Sequence, residues 1–410
     1  MLFNIEVAKN GTVKTIVFDS ERNLFFDTSN VPLNKGHVYH KYTPWWSLEL
    51  SKVNRLIIML GLKCNYKCTY CKQENLRKLN KVPNFTPGCV DSFLEKISKS
   101  KISPDLICFY GGEPLVYWKS LVKLIPSLRH SYPKARFHFP TNGSLLTREK
   151  IRFLEHYNVE FSLSYDGKGS GRTSCLEDGN VTDALRACSE GVLVRVTWHK
   201  RSNSLESIKR DFRESQIKIK HILWDNIAEP EDETEDLSDY ELSEDAKEEI
   251  QNLVSRTADD PDEDFIESDR IEFMYRNGIG IDCKNLHQCG IARGTALCVD
   301  CVGNIYACHS HPDITLGNLD TIVNASPVDL SRIYKNQLFR DKCFTCPFVT
   351  TCGSLCPRIQ NENSPQFDVC CRNKKLLIIP KFQHILERIF DCKLLKITNY
   401  ENNQTIHSFQ

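Results

Sequence analysis

Nineteen cysteines in a 410-residue chain constrain this protein more than any other feature. Eleven lie between Cys283 and Cys371, and three more fall within eight residues at Cys64, Cys68 and Cys71. The opening residues, Met1 to Glu6, lack the basic-then-apolar plan of a signal peptide. No apolar run approaches the roughly 20 residues needed to span a bilayer. The expected compartment is therefore the cytoplasm, where disulfides are disfavoured and clustered cysteines serve as metal ligands or redox groups. The five outlying thiols, Cys89, Cys108, Cys175, Cys188 and Cys392, read as structural.

The length predicts two or three domains, each large enough to bury a core. Apolar residues make up 40% and charged residues 26%, with a formal net charge of zero. That balance gives the whole chain no electrostatic bias toward nucleic acid or an anionic membrane, and neither is expected as a partner.

Residues 1–50 read as a small β extension, because Ile5–Val7 and Val13–Phe18 flank the turn signal Asn10-Gly11. From residue 51 to 228 strands alternate with helices. The strands are expected at Arg55–Gly61, Asp105–Tyr110, Ala135–Pro140, Val159–Tyr165, Val192–Trp198 and Ile217–Trp224. Helical apolar spacing falls between them, at Asp91–Ser98, Trp118–Leu128, Arg148–Glu155, Thr182–Ser189 and Leu205–Phe212. The strand runs are mostly apolar rather than alternating, as in a parallel sheet covered by helices. The expected fold class is α/β, a partial six-unit TIM-like barrel with functional groups at the C-terminal strand ends.

Residues 229–277 break this pattern. Twenty acidic residues stand against three basic ones between 229 and 272. The expectation is an acidic linker with one helix near Ser243–Arg256, or a docking surface for a basic partner. A cysteine-rich, loop-rich domain follows over 278–375, and a C-terminal helix (Pro380–Ile389) and tail over 376–410.

Cys64-Asn-Tyr-Lys-Cys68-Thr-Tyr-Cys71 directly follows the first barrel strand. Three thiolates on one tight loop can each ligate one iron of a [4Fe–4S] cube and leave the fourth iron open. Structural zinc wants four ligands, usually in paired short spacings, and a lone triplet fits it poorly. The spacing, with Tyr70 before the last cysteine, resembles the radical S-adenosylmethionine (SAM) superfamily. The resemblance implies that SAM chelates the open iron and is cleaved by one electron to a 5′-deoxyadenosyl radical. It also implies that Gly111-Gly112-Glu113-Pro114, closing the second strand, binds the SAM amino group. Softer matches put Asn142, in Thr141-Asn142-Gly143, and Ser164, in Ser164-Tyr165-Asp166-Gly167, in the pocket, with Ser164 toward the ribose. The expected cofactor-binding residues are thus Tyr70, Gly111, Gly112, Glu113, Asn142 and Ser164.

The C-terminal cysteines are similarly specific. Cys289 precedes Gly303 and Cys308, and then comes Cys343-x2-Cys346-x5-Cys352-x3-Cys356, followed by Cys370-Cys371. This pattern resembles the SPASM domain. The resemblance implies two auxiliary [4Fe–4S] clusters, three in all. Cys283, Cys289, Cys308 and Cys356 would hold one, and Cys343, Cys346, Cys352 and Cys371 (or Cys370) the other. Cys298 and Cys301 fall outside the pattern, and a zinc ribbon is the alternative reading of the paired cysteines.

Enzymes of this type mostly modify peptides, by crosslinking, oxidation or backbone excision. The resemblance implies a ribosomally made peptide substrate and a flavodoxin- or ferredoxin-type electron donor. The 50-residue N-terminal extension is short for a leader-binding domain, so either a separate leader-binding protein delivers the peptide or the core binds it directly. Sulfatase maturases carry an aspartate base where this chain has His309, with His311 nearby. His309 is therefore the candidate general base. The alternatives are a radical SAM enzyme acting on a small molecule, and a non-catalytic iron–sulfur or zinc binding protein.

Overall fold

The computed structural model describes residues 1–34, 47–73, 76–77, 82–227, 237, 240–257, 268–278, 289–291, 294–310, 312–322, 328–329, 341–353, 355–356, 359 and 361–409. Strands β1 (Leu2–Lys9) and β2 (Thr12–Asp19) form the expected hairpin. Its turn places Asn10 and Gly11 at φ 51° and 74°, both positive, as a two-residue turn matched to strand twist requires. Strand β3 (Leu24–Phe26) extends the hairpin, and β4 (Ser47–Leu48) stands apart from it.

The strand–helix alternation is a parallel sheet. It comprises β5 (Arg55–Met59), β6 (Leu106–Tyr110), β7 (Arg136–Thr141), β8 (Val159–Ser164), β9 (Val192–Trp198) and β10 (Ile219–Ile227), side by side in chain order. The helices between them are Val90–Ser100, Trp118–Ser131, Arg148–His156, Gly179–Arg186 and Leu205–Glu214. Three start on a side-chain cap, where Thr147, Asp178 and Ser204 accept from backbone N–H groups of the first turn. The strands are less uniformly apolar than expected. In β6, β7 and β9 buried residues alternate with partly accessible ones. One face packs under helices and the other lines a hollow that holds polar groups.

The sheet is also wider than six strands. Strand β11 (Ala296–Asp300) pairs in parallel with β5, and β12 (Asn304–Tyr306) and β13 (Thr315–Asn318) add antiparallel beyond it. All five residues of β11 are buried. Nothing in its short run Ala-Leu-Cys-Val-Asp marks it as a strand that returns to the first sheet. Strand β14 (Val328–Asp329) pairs with β4. Residues 45–228 and 289–335 form one compact unit.

Residues 1–44, 229–288 and 336–410 form the other unit. Its sheet runs β16–β15–β1–β2–β3, with β15 (Lys393–Asn399) and β16 (Thr405–Ser408) supplied by what the sequence offered as a tail. The expected closing helix at 380–389 is the second half of a 26-residue helix, Pro365–Phe390, with Pro380 inside it. An interior proline normally ends a helix; here Ile378, Phe382, Ile385 and Leu386 are buried on both sides of it. The acidic stretch contributes two helices, Glu244–Thr257 and Ser268–Asn277. The second was not expected. It is held by Ile271, Met274 and Tyr275, which are buried at helical spacing. Its Ile271 and Tyr275 share a core with Phe3, Phe18, Phe25, Phe382 and Ile397. Among the described residues, no helix is long and apolar enough to cross a membrane.

Candidate active site

Beyond β5 the chain turns sharply into the cysteine triplet, and the end of β6 is laced to that turn. Leu60 N–H donates to the Tyr110 carbonyl (2.8 Å), Gly112 N–H to Gly61 (3.0 Å) and Glu113 N–H to Lys63 (2.9 Å). The lacing leaves no room for side chains. A Cβ on Gly111 would stand 2.2 Å from the Gly61 carbonyl oxygen, and one on Gly112 2.2 Å from that of Lys63. Gly111 also sits at φ 152°, open only to glycine. The two glycines thus fix the base of the Cys64 loop.

Glu113 is 1% exposed. Its Oε1 accepts from Leu115 N–H (3.0 Å) and from Thr141 Oγ1 (2.7 Å), and Oε2 accepts from Asn142 N–H (2.7 Å). Burial pushes its carboxyl pKa up, and these hydrogen bonds oppose the rise. A carboxylate offers about four acceptor positions, so one remains.

Cys64, Cys68 and Cys71 open into one cavity of ≈ 210 Å³. Tyr70, Gly111, Gly112, Glu113, Asn142 and Ser164 all line it, together with Arg77, Tyr110, Pro140, Arg172, Thr197 and Ser310. Arg77 Nη2 donates to Cys71 Sγ at 3.0 Å, and Asn142 Nδ2 points to Cys64 Sγ at 3.9 Å. Such donors favour thiolates. Burial raises the pKa values of Cys64 and Cys68, so without a bound cation these thiols stay protonated.

Tyr70 is more than an aromatic wall. Its hydroxyl donates to Asp166 Oδ2 and accepts from Arg172 Nε at 2.9 Å, while Arg172 Nε also reaches Asp166 Oδ2 at 2.8 Å. Asp166 Oδ1 accepts from Thr197 N–H at 2.8 Å. The knot ties the cysteine loop to the ends of β8 and β9. Burial alone would depress the Arg172 pKa, but Asp166 holds it well above the ordinary value. Sequence reading missed Arg172. Its one signal is the run Gly167-Lys-Gly169-Ser-Gly171-Arg172, whose glycines let the chain close onto Thr69. A Cβ on Gly171 would meet Thr69 Oγ1 at 2.6 Å.

His309, the candidate base, turns its ring edge-on to Tyr110 with centroids 4.5 Å apart. Its Nδ1 is buried without a hydrogen-bond partner, and its carbonyl accepts from Gln73. Burial, helped by Arg55, Arg195 and Lys72, pushes its pKa down to about 4. The neighbouring Ser310, not His309, lines the cavity. His311 lies outside the described residues.

In the other unit Cys343, Cys346, Cys352 and Cys371 line a second cavity, of ≈ 390 Å³, with Lys342 and Lys375 on its wall. Cys370 is not among the lining residues; it is fully buried in a core with Leu355, Ile359 and Phe367, against which Cys343 and Cys371 pack. Of the other expected ligand set, Cys289 and Cys308 belong to the barrel unit and Cys356 to the second unit, while Cys283 lies outside the described residues. Cys298 is packed into the barrel core, 1% exposed, and Cys301 is 4% exposed beside Asn84. Among the described residues no three His, Cys, Asp or Glu side chains close round a single metal ion. A cube, which takes one thiolate at each corner, asks for a wider spacing than one ion does.

Residues 58–167, from the first barrel strand through the Asp166 knot, match the radical SAM superfamily. The chain carries a radical SAM domain. A radical SAM cyclopropyl synthase, TigE of Paramaledivibacter caminithermalis, is 23% identical over 341 residues, 74% of this chain and 68% of its own length. Among solved structures, native anSMEcpe with bound AdoMet matches with a TM-score of 0.58 and 17% identity, over 82% of this chain and 99% of its own. SuiB of Streptococcus suis matches at 0.50 and 14%, over 78% and 77%. These likenesses carry the fold. A radical SAM domain implies one [4Fe–4S] cluster and SAM, and the three thiols opening with Glu113 onto one cavity fit both.

Proposed function

We propose that this radical SAM enzyme abstracts hydrogen from a ribosomally made peptide and leaves a post-translational modification, with a SPASM-type domain holding auxiliary clusters. The observation that carries the reading is the second cavity. Four thiols in the expected C-x2-C-x5-C order, the fourth from a distant helix, open into one space. A fully ligated cluster there suits electron transfer, which a net oxidation of substrate requires. The peptide bound to anSMEcpe in a second structure, at TM-score 0.57, supports a peptide substrate.

Cys64, Cys68 and Cys71 would hold the first cluster, and Glu113 would offer its remaining acceptor position to the SAM ammonium. When bound, this pair supplies a carbon-centred radical strong enough to take hydrogen from an unactivated position. The chain's own work is placement. The Tyr70–Asp166–Arg172 knot fixes the loop, Asn142 and Arg77 stabilise thiolates, and Gly111 and Gly112 keep the β6 end tight against it. Cys283, Cys289, Cys308 and Cys356 would hold the third cluster, His309 would serve as base, and Ser164 would face the ribose. A flavodoxin- or ferredoxin-type donor would supply the electron, with a separate protein delivering the peptide leader in the cytoplasm.

Anaerobic reconstitution tests this reading. The enzyme should bind about twelve irons per chain, release 5′-deoxyadenosine when reduced with SAM, and change the mass of a co-expressed precursor peptide. A chain that binds four irons and leaves every such peptide unchanged would overturn it.

A further inference from the structure

Strand β9 shows its two faces clearly. Val192, Val194, Val196 and Trp198 are buried, and Leu193, Arg195 and Thr197 alternate with them. Thr197 lines the first cavity, so its face is the inner face of the barrel. Arg195 stands on that face one pleat deeper, in register with Ser164 of β8, another lining residue.

Among the described residues this arginine has no counter-ion. Its Nε is buried without a hydrogen-bond partner, and among the described residues its side chain makes no hydrogen bond or ion pair. The groups that feel its charge are Cys108, Tyr110, His138 and His309, and Arg55 adds a second positive charge at three of them. Burial and these cations push His138 down to about 4, so it adds no positive charge near neutrality and offers no negative one. Glu160, lower on the same face of β8, is engaged by Lys220 at 3.3 Å.

An uncompensated guanidinium in such a site is costly unless an anion completes it, and its flat fork suits a carboxylate in two-point contact. The geometry points to Arg195 as a specificity residue that takes a carboxylate of the substrate at the inner barrel wall. The carboxylate would come from an acidic side chain or from a peptide C-terminus. This deepens the proposed function and rests on it for the identity of the cavity as the substrate site.

The test reads binding, so it stands apart from whether any peptide is turned over. Full-length, cluster-reconstituted enzyme with SAM is titrated calorimetrically with N-acetylalanine, the α-amide of N-acetylaspartate, and N-acetylalaninamide. One of the two acids should bind about tenfold or more tighter than the neutral amide, and which one identifies the source. Arg195→Gln should erase that preference, and Arg195→Lys should keep part of it. Circular dichroism checks that both variants fold, and the lysine variant serves if the glutamine one does not. If no acid is preferred, if no probe binds, or if the preference survives in the glutamine variant, the assignment fails. It also fails if Arg195→Gln weakens SAM binding, because the guanidinium would then serve the carboxylate of SAM.

Discussion

Tyr70 donates its hydroxyl hydrogen bond to Asp166, a carboxylate with no exposure to solvent, and Arg172 holds both. The aromatic residue beside the last cysteine of the triplet thus works through its oxygen as well as its ring. Asp166→Asn would leave the buried Arg172 charge without its partner. The expected loss is about 3 kcal/mol or more of folding stability, with weaker iron retention at the first cluster. Tyr70→Phe removes a hydroxyl that bonds both charged groups and should cost about 2 kcal/mol, less than loss of the charge pair. Urea denaturation of both variants measures the two losses.

Gly112→Ala should prevent cluster assembly at Cys64, Cys68 and Cys71. The added methyl group meets backbone oxygen, which cannot rotate away. A cost of about 3 kcal/mol is expected. Gly179→Ala is the control, since nothing lies within 4 Å of its Cβ position. Melting temperature and iron content should fall together in the first and stay unchanged in the second.

Cys371→Ala should lower bound iron by about four per chain, whereas Cys370→Ala should keep the iron and lose only core packing. Iron assay and Mössbauer spectra after identical reconstitution decide between them. Cys68→Ala should abolish 5′-deoxyadenosine formation outright.

His138 gives the barrel an acid limit. It is partly buried, with its Nε2 3.1 Å from Ser162 Oγ. Burial first, and then Arg195, Arg136 and Arg55, push its pKa down to about 4, with Glu160 opposing. The unfolded chain therefore binds the proton more readily, and stability falls as pH drops from about 6.5 toward 4. His138→Gln should flatten that slope in denaturation curves taken between those pH values, if Ser162 keeps its partner.

The residues that line the two cavities were largely legible. Cysteine spacing and the glycines at 111 and 112 are local patterns, and local patterns survive in a sequence. The hairpin at Asn10-Gly11 was readable for the same reason, because its backbone conformation needs those residue types. What escaped depends on distant partners. Strand β11 is five unremarkable residues until β5 gives them an edge to join. The helix through Pro380 persists because apolar contacts on both sides outweigh one missing hydrogen bond. Arg172 is marked only by the glycines before it, and nothing near Arg195 in sequence says that it stands without a counter-ion among the described residues.

The pairing of β1 with β15, Phe3 opposite Asn399, sets an order of events for biosynthesis. A ribosome releases the first strand long before its neighbour has been translated, so the hairpin at the start must wait with one apolar edge uncovered. A chaperone that shields that edge would raise the yield of recombinant enzyme, and a stop codon before residue 393 would leave it open for good.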